Sequence, residues 1–268
     1  MVARGVQITD LHLMADPRAE LKGVCTQASL LTVLDVLRRD FGSAERLIVT
    51  GDLAHDELRE TYEALRELLA DWWPKLRLIP GNHDNREFMR QVFDDRVTVM
   101  EDRNVFVDSV GGWRLIGLDS HLPGEVRGQL GESQLAWLAR ELAAESRQPT
   151  AIFLHHPPMC VGTGWLDGIN LEDAEAFLNV LRPFAQAKLI CCGHIHHEMT
   201  VSLADKLLLA TPSTSVQFLP ETEVLVPDPI PPGFRVFDFE TDGSFRTRVV
   251  RVPSPVTAST PFAARRIY

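Results

Sequence analysis

Residues 76–84 read LRLIPGNHD, an apolar run followed by three hydrogen-bonding side chains, Asn82, His83 and Asp84. A short apolar run of this kind is typical of a strand that is buried on both faces. Polar groups at the end of such a strand need a reason to be there, and binding a ligand is one. The same succession of apolar run and polar tip recurs along the chain, and it guides the interpretation of both fold and function.

Apolar runs and helical segments alternate through the first two thirds of the chain. Six runs are typical of buried strands, at residues 6–9, 47–50, 76–79, 115–118, 151–154 and 189–192. Segments with helical spacing of apolar residues are found at 30–41, 58–72, 133–144 and 171–184. This alternation predicts an α/β protein. Beyond residue 199, shorter alternating runs at 201–203, 206–210, 234–239 and 245–252 indicate antiparallel hairpins.

The domain organisation follows from the absence of internal boundaries in the sequence. Neither a repeat nor an interdomain linker is evident, so we expect one domain over residues 1–252 and a C-terminal surface arm over residues 253–268. Residues 220–233 contain five prolines, which predicts an ordered loop or flap.

Composition excludes several classes of protein. The formal net charge of -10 argues against a nucleic-acid-binding protein, because a polyanion requires clustered Lys and Arg. The chain has no apolar stretch of about eighteen residues and no signal-like N-terminus, so we expect a cytoplasmic protein that does not bind membranes. Its four cysteines do not form a disulfide framework. An anionic substrate would therefore need positive charge from something other than side chains.

Side chains that bind metals collect at the carboxyl ends of five predicted strands. They are Asp10 and His12, Asp52, Asn82 with His83 and Asp84, His155 and His156, and His194, His196 and His197. Ligands bind outside the carboxyl ends of strands in open α/β sheets, so we expect these tips to converge. In extended backbone, a spacing of two residues also sends both side chains of a pair such as Asp10 and His12 to the same side.

Each of these residues has an ordinary structural explanation when taken alone, as a helix cap, a turn residue or part of a solvated loop. Their joint occurrence favours metal coordination, whereas His55 and His121 suggest no role. Imidazole and carboxylate donors without thiolate suit Mn, Fe or Zn. Two aspartates, an asparagine and four histidines give seven donors, which is more than one ion uses if a position stays open to substrate. We therefore expect two divalent metal ions that share a bridging carboxylate.

These blocks resemble those of the calcineurin-like metallophosphoesterases, and other segments resemble the bacterial class III 3′,5′-cyclic AMP phosphodiesterases within that superfamily. The superfamily blocks are Asp10-Leu11-His12, Gly51-Asp52, Gly81-Asn82-His83-Asp84, His155 and Gly193-His194-Ile195-His196. The segments that resemble the narrower group include Leu118-Asp119-Ser120, Gly164-Trp165-Leu166-Asp167 and residues 210–218. The resemblance extends from about residue 6 to about residue 250.

The resemblance implies a fold and a set of ligands. The fold is an α/β four-layer αββα sandwich of two mixed β-sheets flanked by helices. Asp10, His12 and His196 would hold one ion, and Asn82, His155 and His194 the other. Asp52 would bridge the two ions.

The resemblance also implies an activity, the hydrolysis of 3′,5′-cyclic AMP to 5′-AMP by attack of a hydroxide that bridges the metals. His83 would stabilise or protonate the leaving 3′ oxygen of the ribose, and Asp84 would orient His83. We expect Asn82, His83, His196 and Trp165 to contact the substrate.

Other functions remain open from the sequence alone. An enzyme of the same fold could act on glycerophosphodiesters, 2′,3′-cyclic nucleotides or other small phosphoesters. A non-catalytic interaction scaffold is the alternative from a different class, although such scaffolds typically lose ligands that this chain keeps. The sequence does not distinguish a monomer from a homodimer, cyclic AMP from cyclic GMP, or Fe, Mn and Zn from one another.

Overall fold

The structure is a computed structural model that describes residues 2–253, in which two mixed β-sheets are the main feature. The strands are β1 Val2–Ile8, β2 Glu20–Leu21, β3 Val24–Cys25, β4 Arg46–Thr50, β5 Leu76–Ile79, β6 Thr98–Met100, β7 Arg103–Val110, β8 Trp113–Gly117, β9 Thr150–Phe153, β10 Ala187–Cys192, β11 Met199–Leu203, β12 Lys206–Ala210, β13 Gln217–Phe218, β14 Pro227–Asp228, β15 Gly233–Glu240 and β16 Phe245–Arg251. The helices are α1 Thr26–Phe41, α2 Arg59–Leu68, α3 Arg86–Val92, α4 Gly131–Ala144, α5 Gly164–Asp167 and α6 Ala174–Leu181, with a 3-10 helix at Ala70–Lys75.

Both sheets contain a run of parallel strands, with antiparallel strands at both edges of the seven-stranded sheet and at one edge of the five-stranded sheet. The five-stranded sheet has the order β16-β15-β1-β4-β5, in which β1, β4 and β5 are parallel neighbours. The seven-stranded sheet has the order β11-β12-β10-β9-β8-β7-β6, in which β12, β10, β9 and β8 are parallel. The carboxyl ends of adjacent parallel strands lie at the same edge of a sheet, and this places the polar tips side by side.

Three separate apolar clusters show the layers of the fold. Along β4, Leu47 and Val49 belong to a cluster with α1 and α2, whereas Ile48 faces the other sheet. Along β9, Phe153 joins Ile48 in that central cluster, and Ile152 packs with α4 and α6 on the outer side. Helix, sheet, sheet and helix therefore succeed one another, which confirms the predicted α/β sandwich of two mixed sheets flanked by helices.

Several elements differ from the sequence prediction. The helix expected over 58–72 ends at Leu68, and a 3-10 helix that contains Pro74 follows it, because proline cannot continue the hydrogen bonding of an α-helix. The helix expected over 171–184 covers only Ala174–Leu181. Helix α3 and strands β6 and β7 were not predicted at all.

Two further expectations concern membrane-spanning helices and the C-terminal arm. Within the described range, no helix is both long enough and apolar enough to cross a bilayer. The expected arm at 253–268 lies outside the described residues except for Pro253, so its separation from a domain over 1–252 stays a prediction.

Candidate metal centre

The polar tips of the two sheets meet at one place between the carboxyl ends of their parallel strands. His155 follows β9 of one sheet, and its Nε2 atom lies 3.5 Å from Oδ1 of Asp52, which follows β4 of the other. His196 follows β10, and its Nε2 atom lies 3.4 Å from Oδ1 of Asp10, which follows β1. Contacts that join the two sheets thus bring the predicted ligands together.

Four of the predicted ligands form one compact group, namely Asp10, His12, Asp52 and His196. Their donor atoms all lie within 4.8 Å of one another, and all four side chains are buried. The Nε2 atom of His12 lies 3.1 Å from Nε2 of His196 and 3.4 Å from Oδ2 of Asp52. Two imidazoles and two carboxylates at this spacing are suitable ligands for a divalent transition metal.

The other three predicted ligands leave buried atoms without hydrogen-bond partners. Oδ1 of Asn82, Nε2 of His155 and Nε2 of His194 are buried and have no partner among the described residues. Buried polar atoms are almost always paired, and one explanation for an unpaired one is an ion that it coordinates. Because these atoms belong to the three side chains predicted to hold a second ion, the residues present fit a dinuclear metal site.

Hydrogen bonds to the backbone fix which ring nitrogen of two histidines is free to coordinate. Nδ1 of His155 lies 2.7 Å from the carbonyl oxygen of Thr50, and Nδ1 of His196 lies 2.8 Å from that of Val216. A carbonyl only accepts, so in the neutral form of each ring, which is the form that binds a metal, Nδ1 carries the proton and Nε2 keeps a lone pair. In both cases Nε2 is the atom that faces the carboxylates.

The electrostatics of the site favour added positive charge. Burial lowers the pKa of His194 to about 3 and that of His196 to about 4, so both rings are neutral at neutral pH, as metal ligands must be. Burial also raises the pKa of Asp10 to about 7. Burial lowers the pKa of His155, but the charges of Asp52 and Asp10 outweigh it and bring the pKa to about 9. A positive charge between these carboxylates is therefore stabilised.

The backbone at the ligands adopts an uncommon conformation. Asp10, His12, Asp52, His194 and His196 have positive φ angles between 48° and 71°. The prediction that extended backbone presents the paired side chains is therefore wrong, because β1 ends at Ile8 and left-handed residues follow. Non-glycine residues avoid this region unless the surrounding structure imposes it, and such residues cluster at functional sites.

His83 lies beside the metal-binding side chains. Its backbone N–H donates to Oδ1 of Asp52 at 2.9 Å, and its ring centroid is 5.1 Å from that of His12 and 4.7 Å from that of His55. It is partly exposed and lines the same cleft as Asn82. This position is consistent with contact with a substrate.

Asp84 makes different contacts from those that the sequence analysis expected. Its carboxylate accepts hydrogen bonds from the backbone N–H groups of Gly81, Leu53 and Ala54 and from the hydroxyl of Tyr62, at 2.8–3.2 Å. No hydrogen bond joins it to the His83 ring within residues 2–253. Asp84 thus ties together the two loops that carry Asp52 and Asn82, and it acts on the site through the backbone.

A cleft of about 180 Å³ opens above the site. Its polar lining consists of His12, Lys22, Asp52, His55, Asn82, His83, His194 and His196. Apolar side chains from well-separated segments form its walls: Leu21, Val126, Trp165, Leu166, Ile169, Phe218 and Leu225. The Phe218 ring stacks on His196 with centroids 4.2 Å apart, and Trp165 packs edge-on against Phe218 at 5.5 Å. Such a cleft can hold a ligand with one anionic part and one flat, apolar part.

Two histidines near the site need separate description. His156 lies close to His194, but its Nδ1 is 2.8 Å from the Ser120 hydroxyl and its Nε2 is 3.0 Å from the carbonyl oxygen of Val126, so both nitrogens are already engaged. His55, to which the sequence suggested no role, lines the cleft and contacts His12. The feature of the sequence that could have indicated a role for His55 is its position on the loop that carries Asp52.

Comparisons with known proteins agree with this geometry. The family model for calcineurin-like phosphoesterases matches residues 4–198. The 3′,5′-cyclic adenosine monophosphate phosphodiesterase CpdA of Escherichia coli (strain K12) is 36% identical over 260 residues, which cover 96% of this chain and 94% of that protein. The CpdA protein of Pseudomonas aeruginosa is 35% identical over 251 residues, or 94% and 90% of the two chains.

A solved structure supports the fold independently of close sequence identity. The crystal structure of a dimetal phosphatase from Danio rerio matches with a TM-score of 0.62 at 16% identity, and the match covers 94% of this chain and 99% of that one. Since fold, sequence and family model agree over most of its length, the chain belongs to the calcineurin-like phosphoesterase family.

Proposed function

We propose that this protein hydrolyses 3′,5′-cyclic AMP to 5′-AMP at a dinuclear metal centre. The observation that carries the proposal is that relatives named for this activity are 34–36% identical to this chain over 93–96% of its length. In the structure, Asp10, His12, Asp52 and His196 also form a buried cluster of metal-binding side chains. The family is named for the hydrolysis of phosphoesters. The substrate is inferred from the named relatives.

We assign the ligands as the resemblance implied. Asp10, His12 and His196 would hold one ion, Asn82, His155 and His194 would hold the other, and Asp52 would be shared between them. The support for this assignment is the short distances around Asp52 and the unpaired buried atoms of the second group. When bound, two divalent ions supply Lewis-acid stabilisation of the phosphate and a water acidic enough to attack at neutral pH.

The chain's own residues have three tasks beyond metal binding. His83 is placed to donate a proton or a hydrogen bond to the 3′ oxygen that leaves the phosphorus, because alkoxide is a poor leaving group without one. Asn82 and His196, next to His83 in the cleft, contact the phosphate. Asp84 keeps His83 in register through the Gly81 backbone and not through the His83 ring.

The apolar walls of the cleft suit a nucleobase. Trp165 and Phe218 present aromatic surface beside the site, and stacking on such surface stabilises any base. A glycerol-based diester would leave these walls without a partner, and this favours the nucleotide.

The remaining properties follow from the same proposal. We propose two ions drawn from Fe, Mn and Zn, a small cyclic nucleotide as substrate and no nucleic-acid partner, a cytoplasmic location, and a monomer or homodimer. The net charge of -10 supports the exclusion of a polyanion, since there is no excess of Lys and Arg to bind it.

A comparison of substrates tests the function. The protein, stripped of metal and reloaded with Mn²⁺, is incubated with 3′,5′-cyclic AMP, 2′,3′-cyclic AMP, a glycerophosphodiester and an aryl phosphodiester, and the products are separated by chromatography. We expect 3′,5′-cyclic AMP to react fastest among the biological substrates and to give 5′-AMP. If only the aryl ester or the glycerophosphodiester reacts, the proposed substrate is wrong although the metal centre stands.

A matched pair of variants separates the metal centre from the loop that carries it. Asp52→Asn removes the charge of the bridging ligand. Asp56→Asn changes a carboxylate four residues later on the same loop; this carboxylate accepts hydrogen bonds from the Thr61 hydroxyl and the backbone N–H of Ala15. We expect Asp52→Asn to abolish turnover and Asp56→Asn to retain it. Equal activities for the two variants would argue against the ligand assignment.

A further inference from the structure

His55 contacts a proposed metal ligand through the ring nitrogen that does not face the metal site. Its Nδ1 atom lies 3.1 Å from Nδ1 of His12, and the two ring centroids are 5.2 Å apart. The Nε2 atom of His12 points the other way, to His196 and Asp52. His12 therefore uses one nitrogen for the metal site and the other for His55.

The proton between these two rings has one arrangement that is compatible with metal binding. Nε2 of His12 must carry a lone pair to coordinate, so the proton of the neutral ring is on Nδ1. That N–H can donate only if Nδ1 of His55 accepts, which places the proton of His55 on its own Nε2. The contact thus fixes the tautomer of both rings.

His12 differs in this respect from two other proposed ligands. The outer nitrogens of His155 and His196 donate to the backbone carbonyls of Thr50 and Val216. For His12 the corresponding acceptor is the His55 side chain. This acceptor can therefore be removed by a substitution at position 55, whereas a backbone carbonyl is present whatever the residue.

The backbone holds His55 in this place. The N–H of His55 donates to the carbonyl oxygen of Leu13 at 2.8 Å, and that of Leu13 donates to the carbonyl oxygen of Leu53 at 3.0 Å. A parallel bridge between Leu13 and Ala54 joins the same two segments. The loop that carries His55 is therefore fixed alongside the segment that carries His12.

We propose that His55 is a positioning residue, which sets the tautomer and orientation of His12 and thereby strengthens the binding of the ion that His12 coordinates. Outer partners of this kind change metal affinity by roughly 10- to 100-fold when they are removed. The inference rests on the proposed metal centre and adds to it a residue outside the seven ligands. His55 also lies against the His83 ring, so the same side chain borders both the ligand and the proposed proton donor.

The test measures Zn²⁺ affinity by competition with a chromophoric chelator, independently of activity. The variants are His55→Leu, which fills space without an acceptor, His55→Gln, whose carbonyl oxygen can accept from His12, and Asp56→Asn as the control on the same loop. We expect the wild-type chain to bind two ions and His55→Leu to bind one of them about 10- to 100-fold more weakly. His55→Gln and Asp56→Asn should stay within a few-fold of wild type.

Each other outcome overturns a stated part of the account. Unchanged affinity in His55→Leu, or an equal loss in His55→Gln, would show that His55 does not act as an acceptor for His12. A third ion that is lost with His55 would mean that His12, His55 and His83 form a metal site of their own. If the wild-type chain binds fewer than two ions, the dinuclear centre itself fails, whatever the variants do.

Discussion

Replacing Gly81 by alanine tests how closely the loop before Asn82 packs against Asp52, the proposed bridging ligand. A Cβ atom on Gly81 would lie 2.2 Å from Oδ1 of Asp52 and 2.5 Å from the backbone nitrogen of Asp52. Both distances are at least about 1 Å shorter than an ordinary van der Waals contact. The carboxylate can rotate away, but the backbone nitrogen cannot, so one of the two loops must move.

The magnitude follows from two effects. Overpacking of a rigid site costs about 1–3 kcal/mol. Displacement of Oδ1 of Asp52 also breaks its hydrogen bond with the N–H of His83, at 2.9 Å, and this partly buried donor, if left unpaired, costs up to about 1–3 kcal/mol more. We therefore expect Gly81→Ala to lower the free energy of unfolding by about 2–6 kcal/mol. A shift of about 1 Å also exceeds the tolerance of metal–ligand distances, so binding of two ions should be lost.

The assay is urea unfolding of the metal-free proteins together with Zn²⁺ stoichiometry. Gly168→Ala is the matched control, because a Cβ there meets nothing within 4 Å and the φ angle is -79°. We expect the control to be as stable as wild type, or about 0.4–1 kcal/mol more stable, and to bind two ions. If Gly81→Ala unfolds at the same urea concentration as the control and binds two ions, the close packing inferred here is wrong.

Three further changes test separate parts of the site. His83→Ala should lower the rate on 3′,5′-cyclic AMP by about 10²- to 10⁴-fold with metal content unchanged, because the proposal assigns His83 to the leaving group and not to an ion. Turnover of an aryl diester, whose leaving group needs no proton, should fall much less. Full activity on the cyclic nucleotide, or loss of metal, would contradict this role. Trp165→Ala should raise KM for the nucleotide by roughly 5- to 150-fold, the equivalent of about 1–3 kcal/mol of stacking, with kcat on the aryl diester little changed; an unchanged KM would exclude contact with the base. Burial lowers the pKa of His121 to about 4, below its unfolded value of about 6.5, so the stability that it contributes is complete above pH 6.5 and is lost as the pH falls toward 4. Between pH 7.5 and pH 5 the wild-type chain should lose about 2 kcal/mol more unfolding free energy than His121→Gln, and parallel pH profiles would refute this.

The sequence was sufficient to predict the central strands and the residues at their tips. Strands such as β4 and β9 are short and mostly apolar because both faces are covered, and this pattern is visible without any tertiary information. The convergence of Asp10, Asp52 and His155 then follows from a general property of α/β sheets.

What the sequence did not predict depends on contacts between distant segments. The left-handed backbone at Asp10 and His12 is imposed by hydrogen bonds with the loop at residues 51–52, which no local pattern reveals. Asp84 was expected to orient the neighbouring His83. Its carboxylate instead accepts hydrogen bonds from the backbone N–H of Leu53 and the hydroxyl of Tyr62, which are more than twenty residues away in sequence.

Helix α3 was missed for a different reason. It covers only Arg86–Val92, and its clearest signal is the Asn85 side chain, which accepts hydrogen bonds from the backbone N–H groups of Glu87 and Phe88. An N-cap of this kind is common in loops as well, so the residue type alone does not distinguish a short helix from a turn.

The walls of the cleft illustrate the same limit. Leu21, Val126 and Leu225 line the opening, but they lie on separate segments of the chain, and each is an ordinary apolar residue in its own segment. Only the packed structure shows that they surround the metal-binding side chains together.

Titration of activity against metal content tests the central claim most directly. The metal-free chain receives increasing equivalents of Mn²⁺, and the formation of 5′-AMP from 3′,5′-cyclic AMP is measured at each step. A dinuclear centre predicts that activity rises until two ions are bound per chain and then stays constant. Full activity with one ion per chain, or no 5′-AMP with two ions bound, would contradict the account.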